Sequence, residues 1–196
     1  MTSQTAAVML PMTVLLATEE RMDSLQNYRT LVERLDALGQ RIEAEFRAQI
    51  ACRRGCDACC RHLSLFWVEG VALAQALDAQ AESAADRIRE RARRATTDGP
   101  CPLLEAGACL LYAARPIICR THGLPILAGE GEARRIDYCP ENFRTIDTLP
   151  AGAVIDLDRL NTTLAAINSL FVSEVFHGQA PGQERLTIAQ ALLLEL

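Results

Sequence analysis

The stretch ACRRGCDACCRH, residues 51–62, sets four cysteines, Cys52, Cys56, Cys59 and Cys60, within nine positions. Core packing does not ask for that density, because a buried free cysteine behaves as a small hydrophobe and is used singly. The stretch divides the chain. A regular helical pattern precedes it, and an irregular segment carrying the other four cysteines, Cys101, Cys109, Cys119 and Cys139, follows it. On a continuing helix, positions 52, 56 and 59 would share one face, since steps of four and three return to the same side. Gly55 makes a tight loop equally compatible. Either geometry brings three sulfurs together.

Upstream, residues 21–50 predict one long helix. Leu25, Tyr28, Val32, Leu35, Leu38, Ile42, Phe46 and Ile50 recur at steps of three or four and make an apolar stripe. Such a stripe serves packing or pairing, so a protein partner or a homodimer through 21–50 is an expected interaction. Downstream, Leu63–Val68 reads as a short strand or a helix entry. Helices are predicted over Glu69–Ala81 and Ala84–Ala95, the second rich in arginine. TTDGPCP, residues 96–102, ends this helical section with breakers. Pro116–Leu127 and Arg134–Tyr138 read as extended, with Gly129 and Gly131 between them suggesting a hairpin. A further helix starts at an Asp158 N-cap and ends at Gly178, with Leu160, Leu164, Ile167, Phe171 and Val175 as its stripe. After a Pro181–Gly182 turn, Gln183–Leu196 reads as a last amphipathic helix or a docking tail. The expected fold is mainly α, with an irregular cysteine-rich middle and a small β-hairpin. The expected organisation is an N-terminal docking segment over 1–20, a metal-binding domain over 21–178 and a C-terminal helix or tail over 179–196.

The 196 residues suffice for one domain with a real core. A net charge of −5 gives no reason to expect nucleic acid as a partner. All 20 basic residues are arginine, which fits a GC-rich bacterial genome. The apolar run Ala6–Leu16 has no basic residue before it, is interrupted by Pro11, and is too short to span a bilayer. The expected location is the cytoplasm, where eight cysteines are more naturally metal ligands than disulfides.

Thiolate is a soft ligand suited to zinc and to iron–sulfur clusters. Cys56 and Cys59 have the C-x2-C spacing that lets two sulfurs reach one metal, and Cys52 adds a third. Cys60 leaves the backbone in another direction from Cys59, toward the same centre or a second one. Four thiolates satisfy one tetrahedral zinc or one four-iron cluster, so eight can furnish one centre or two. Zinc sites commonly use two C-x2-C knuckles, and only one is present. Cysteines contributed singly from later loops fit a cluster at least as well. A four-thiolate centre of either kind carries a charge near −2, which draws attention to Arg53, Arg54, Arg61 and Arg120 beside the cysteines. His62 and His122, in CCRH and CRTH, are the non-cysteine ligand candidates.

These residues resemble a known family. C-RRG-C-DA-CC followed by SLFWVEG, then CPLL, CLLYAARPIIC-R and YCP, is similar to the bacterial YkgJ-type cysteine-cluster family, described as a zinc- or iron-chelating domain and also as an iron–sulfur oxidoreductase. The likeness runs from Cys52 to about Pro140. It implies that all eight cysteines, Cys52, Cys56, Cys59, Cys60, Cys101, Cys109, Cys119 and Cys139, are metal ligands; Arg115, Arg120, His62 and His122, near them in the chain, are expected around the centre. The domain is also similar to part of flagellin lysine methylases, which raises cluster-dependent methyl transfer, although no glycine-rich nucleotide loop accompanies it. The sequence therefore predicts a cysteine-ligated metal centre, with a 4Fe-4S cluster as first expectation and zinc as the alternative. A redox or substrate-binding role comes first. A structural zinc interaction protein and a metal-sequestering or metal-delivering protein are the rivals. No carboxylate pair or nucleophile constellation decides whether it is an enzyme.

Overall fold

The computed structural model describes residues 24–53, 55–129, 131–178 and 182–196. The docking segment expected over 1–20, Arg54 and Pro181 lie outside them. Within these residues the protein is mainly α-helical, with small sheets of two or three strands. No described helix is long and apolar enough to cross a membrane.

Helix α1 (Gln26–Glu45) follows the predicted stripe and ends at Phe46, after which Arg47–Gln49 tightens into a single 310 turn. Leu25, Tyr28, Leu35 and Ile42 are buried, so the stripe is used inside its own chain, against the later helices. Residues 51–53 and 55–60 are loop and turn rather than continuing helix. Gly55 takes φ +92°, a left-handed conformation that a helix excludes.

The chain then forms strand β1 (Ser64–Phe66) and enters helix α2 (Trp67–Asp78) directly, so both readings of Leu63–Val68 hold in succession. Helix α2 is the centre of the core. Trp67, Val68, Val71, Leu73, Ala74 and Leu77 are all almost fully buried, and a helix apolar on most of its circumference must be surrounded. Helix α3 (Glu82–Arg93) packs only its Ala85, Ile88 and Ala92 stripe inward. Its arginines are largely committed to neighbours: Arg89 pairs with Asp78, Arg94 with Glu90, and Arg91 turns back onto the following loop.

That loop carries a two-residue hairpin, β2 (Leu104–Glu105) and β3 (Ala108–Cys109). Pro116–Leu127 is not extended throughout. A one-turn helix α4 (Ile117–Thr121) precedes strand β4 (Ile126–Ala128). The β-branched Ile117 and Ile118 favour a strand locally, but the first helical N–H, that of Ile117, is captured by the Glu69 carboxylate at 3.0 Å. Strand β4 pairs antiparallel with β5 (Arg135–Asp137), as the predicted hairpin requires, and also parallel with β6 (Ile155–Asp156).

Helix α5 (Leu157–Phe176) is capped by Asp156, not Asp158. The Asp156 carboxylate accepts from the Arg159 N–H at 3.0 Å, the usual N-cap geometry. Asp158 sits instead in the first turn, where the helix dipole favours an acid. At the other end His177 is left-handed and Gly178 follows at φ +90°. The final residues form strand β7 (Arg185–Thr187), paired with β1, and a short helix α6 (Ile188–Leu192), rather than one helix. Ile188, Ala191 and Leu192 are buried against α2 and α3. The Trp67 indole N–H donates to the Gln183 carbonyl at 2.7 Å, which pins this segment to the core.

Candidate metal centre

The cysteines sit on one side of the helical core, on segments held to it by polar struts. Five carriers converge: the 51–61 loop, the loop at Cys101, strand β3, helix α4 and the turn after β5. Cys52, Cys56, Cys59, Cys60, Cys101, Cys109 and Cys119 line one cavity of about 1000 Å³. Cys139 lies beside it, next to Cys52. Cys52, Cys56 and Cys59 are exposed, and the other five are partly shielded. Among the described residues, no three Cys, His, Asp or Glu side chains already close on a single ion. The donor chemistry nonetheless fits a thiolate-bound metal: eight soft thiols, seven of them lining one space, with no sulfur tied up in a disulfide.

Each carrier has a local reason for its position. Cys56 N–H donates to the Arg53 carbonyl at 2.9 Å and Cys60 N–H to the Asp57 carbonyl at 2.8 Å, so the C-x2-C segment is two consecutive tight turns. Gly55 N–H donates to the Gly107 carbonyl at 2.9 Å, and a Cβ on Gly107 would stand 3.0 Å from Gly55 Cα. Two glycines allow that backbone contact. Cys101 N–H donates to the Cys60 carbonyl at 3.2 Å, beside a bridge between Arg61 and Pro100. The Arg91 guanidinium donates to the Pro102 carbonyl at 2.8 Å and to the Leu104 carbonyl, locking the Cys101 loop to α3.

Glu69 and Asn142 organise the rest. Glu69 is only 3% exposed. Its two carboxylate oxygens accept from Phe66 N–H at 3.1 Å and Ile117 N–H at 3.0 Å. One buried acid thus satisfies the N-termini of both α2 and α4, and α4 carries Cys119. Burial pushes its carboxyl above the usual range, against the pull of those two hydrogen bonds. Asn142 is 1% exposed. Its Oδ1 accepts from Ala51 N–H at 2.8 Å, while its Nδ2 donates to the Gly123 carbonyl at 2.7 Å and to Cys52 Sγ at 3.3 Å. Its backbone N–H donates to the Cys139 carbonyl at 2.8 Å. Gly123, at φ +86°, completes this corner. A Cβ there would lie 2.8 Å from Cys52 Sγ, so any side chain would displace the sulfur.

Six of the eight thiols are harder to ionise than a free cysteine when no metal is bound. Burial pushes Cys101 up to about 11 and Cys119 up to about 12, each reinforced by neighbouring cysteines. Burial also raises Cys52, Cys59, Cys60 and Cys109. The Asn142 amide works against this at Cys52, and the Arg115 charge does so at Cys109 and Cys119. A metal would reverse the balance, because coordination deprotonates the thiol outright.

The remaining candidates separate. Arg115 lines the cavity, stacks on Tyr112 at 3.5 Å from the ring centroid and donates to the Tyr112 carbonyl at 3.0 Å. Arg53 and Arg61 also line the cavity, as does Arg47, which spacing did not single out. Arg120 turns away. It forks onto Asp36 of α1 at 2.5 and 2.7 Å and donates to the Arg115 and Ala113 carbonyls, both at 2.6 Å. His62 uses both ring nitrogens: Nδ1 meets the Thr96 carbonyl at 2.8 Å and Nε2 accepts from Ala189 N–H at 3.1 Å. That fixes the Nδ1–H tautomer and makes the ring a strut between α3's exit and α6. His122 donates from Nδ1 to the Ile118 carbonyl at 2.7 Å, which leaves the lone pair on Nε2, and the residue borders the cavity.

Sequence spacing pointed to neither Glu69 nor Asn142. Glu69 carried a usable signal, an acid at the third position of a helix that follows an apolar run. Asn142 carried none, since its sulfur partner lies 90 residues away.

Residues 51–140 match the family model CxxCxxCC, described as "Putative zinc- or iron-chelating domain". No curated protein and no solved structure is matched by the chain.

Proposed function

Because residues 51–140 belong to this cysteine-cluster chelating family, we propose that the chain uses its cysteines to hold an iron–sulfur cluster of the four-iron kind, in a redox or substrate-binding role. The supporting observation is the cavity. Seven thiols stand around about 1000 Å³, a space suited to a bulky inorganic core and an adjoining small molecule rather than to one ion. A bound cluster would supply one-electron chemistry at a potential set by burial and by hydrogen bonds to sulfur.

The chain's own residues have definable tasks around it. Asn142 donates a hydrogen bond to Cys52 sulfur and so stabilises its thiolate and holds its direction. Arg115 offsets the accumulated negative charge near Cys109 and Cys119. Arg47, Arg53 and Arg61 make the cavity wall attractive to an anionic substrate. Arg120 and His62 hold the carriers in place and are left out of the ligand set. A reducing compartment such as the cytoplasm suits thiolate ligation. Self-association through residues 21–50 would have to use the polar face of α1, since its apolar stripe is buried.

A second reading has its own observation. The consecutive tight turns at Cys56 and Cys60 resemble a zinc knuckle, which favours zinc in a structural role. Full-length protein purified anaerobically separates the two. The cluster reading predicts a brown protein whose visible absorption is lost in Cys56→Ser and Cys59→Ser. Colourless protein with stoichiometric zinc would replace it with the zinc reading.

A further inference from the structure

The adjacent pair Cys59–Cys60 raises the question of how eight sulfurs divide. We propose that they form two four-thiolate sites: an outer one of Cys52, Cys56, Cys59 and Cys139, and an inner one of Cys60, Cys101, Cys109 and Cys119. This deepens the metal-binding reading and rests on it.

The inner set is tied together by backbone. Cys101 N–H bonds the Cys60 carbonyl at 3.2 Å. Leu104 N–H bonds the Cys101 carbonyl at 3.0 Å, and Leu104 is the cross-strand partner of Cys109. Cys60, Cys101 and Cys109 therefore ride on three segments stitched side by side. Cys119, on α4, lines the same cavity as these three. All four are partly shielded from solvent.

The outer set is assembled differently. Cys52 and Cys139 meet at the Gly123–Asn142 corner, where the Cβ that Gly123 lacks would lie 2.8 Å from Cys52 Sγ and 3.7 Å from Cys139 Cβ. Cys52, Cys56 and Cys59 are the three exposed cysteines, and Cys56 and Cys59 sit on the exposed double turn. The two sets meet at Cys59–Cys60 and border one cavity. Cys60 adjoins Cys59 in the chain, but its carbonyl accepts from Cys101 N–H at 3.2 Å. After the turn at Asp57–Cys60 the backbone runs into the bridge with residues 100 and 101. Cys60 thus already belongs to the inner segment, while Cys59 is still in the outer turn. Neither set is closed to single-ion spacing. A four-iron core spans a wider set of sulfurs than one ion does, and zinc would draw each set inward.

The test uses the full chain, reconstituted anaerobically with ferrous iron and sulfide, and in parallel with zinc alone. Native mass spectrometry counts centres, and thiol alkylation after stepwise addition of a chelator is read cysteine by cysteine, with fragment spectra resolving Cys59 from Cys60. Two centres per chain are expected. Cys52, Cys56, Cys59 and Cys139 should become reactive together, before Cys60, Cys101, Cys109 and Cys119. Cys139→Ser should lose half of the bound metal and leave the inner four protected. A single centre, deprotection in one step, or Cys59 and Cys60 released together would overturn the division. Failure of both samples to bind any metal would instead refute the metal-binding reading beneath it. The wild-type footprint decides the matter even if a variant does not fold.

Discussion

The two sides of this molecule are built by different means. Around α2 the fold rests on apolar burial, with Trp67, Val71, Leu73 and Leu77 almost wholly removed from water and Phe171, Leu186, Ile188 and Leu192 closing over them. On the cysteine side the residues between 51 and 61 and around 101–109 are mostly exposed or half-exposed loop. They are positioned by backbone hydrogen bonds, two glycines in contact, and struts from Arg91 and Asn142. A side held by burial is stable alone. One held by scattered polar contacts around eight free thiols gains its rigidity when a metal binds, because binding free energy becomes folding free energy there.

The largest blow to the first side is Trp67→Ala. It removes a fully buried ring that packs edge-on against Phe176 at 5.0 Å and anchors Gln183. Loss of about 3–5 kcal/mol is expected in denaturant unfolding, equally in metal-free and metal-loaded protein. A much larger loss in the loaded form would show that the two sides are not independent.

Glu69 is where they join. Glu69→Ala leaves the N–H groups of Phe66 and Ile117 without their carboxylate partner, at a cost of about 1–3 kcal/mol for each group left buried and unsatisfied. It should both destabilise the core and release α4, so that Cys119 in the metal-free protein becomes faster to alkylate. An unchanged Cys119 rate would mean that Pro116 and the Arg120–Asp36 pair hold α4 unaided.

Asn142→Ala should spare the core and lower metal affinity by about 10–100-fold, the usual effect of removing a hydrogen bond that orients a ligand. Competition with a coloured chelator measures it. Retained affinity would remove Asn142 from the site.

The smallest expected effect is alkaline. In metal-free protein the pKa values of Cys101 and Cys119 are raised, to about 11 and about 12, from an ordinary 9.0. The unfolded thiols ionise first, so stability is full below pH 9 and falls as pH rises through the folded values. Each thiol should cost about 1 kcal/mol between pH 9 and 10. Cys119→Ser should flatten the slope, and urea midpoints at several pH values would reveal it. A stability that rises over this range would contradict the burial assigned to these sulfurs.

The sequence made the apolar side legible and the polar side only in outline. The stripes of α1 and α5 follow from residue spacing, because burial imposes the helical period on the residues themselves. The β4–β5 hairpin was announced by Gly129 and Gly131. The eight cysteines were visible by residue type alone, whatever their geometry. Helix α4 was hidden because Ile117 and Ile118 favour a strand, while the contact that overrides them comes from Glu69, 48 residues away. Arg120 and His62 adjoin cysteines in the chain, yet their hydrogen bonds run to Asp36, Thr96 and Ala189. Neighbourhood in sequence does not fix the direction of a long or planar side chain. Asn142 depends on partners that no local pattern encodes, whereas Asp156 caps its helix through Arg159 N–H, three residues on.

The most direct measurement is the content of iron, acid-labile sulfide and zinc in full-length protein purified without oxygen. The account predicts iron and sulfide in equal amounts, at about four of each per cluster held, with zinc far below one atom per chain. Protein that folds with its thiols free, holding neither iron nor zinc after reconstitution, would contradict it.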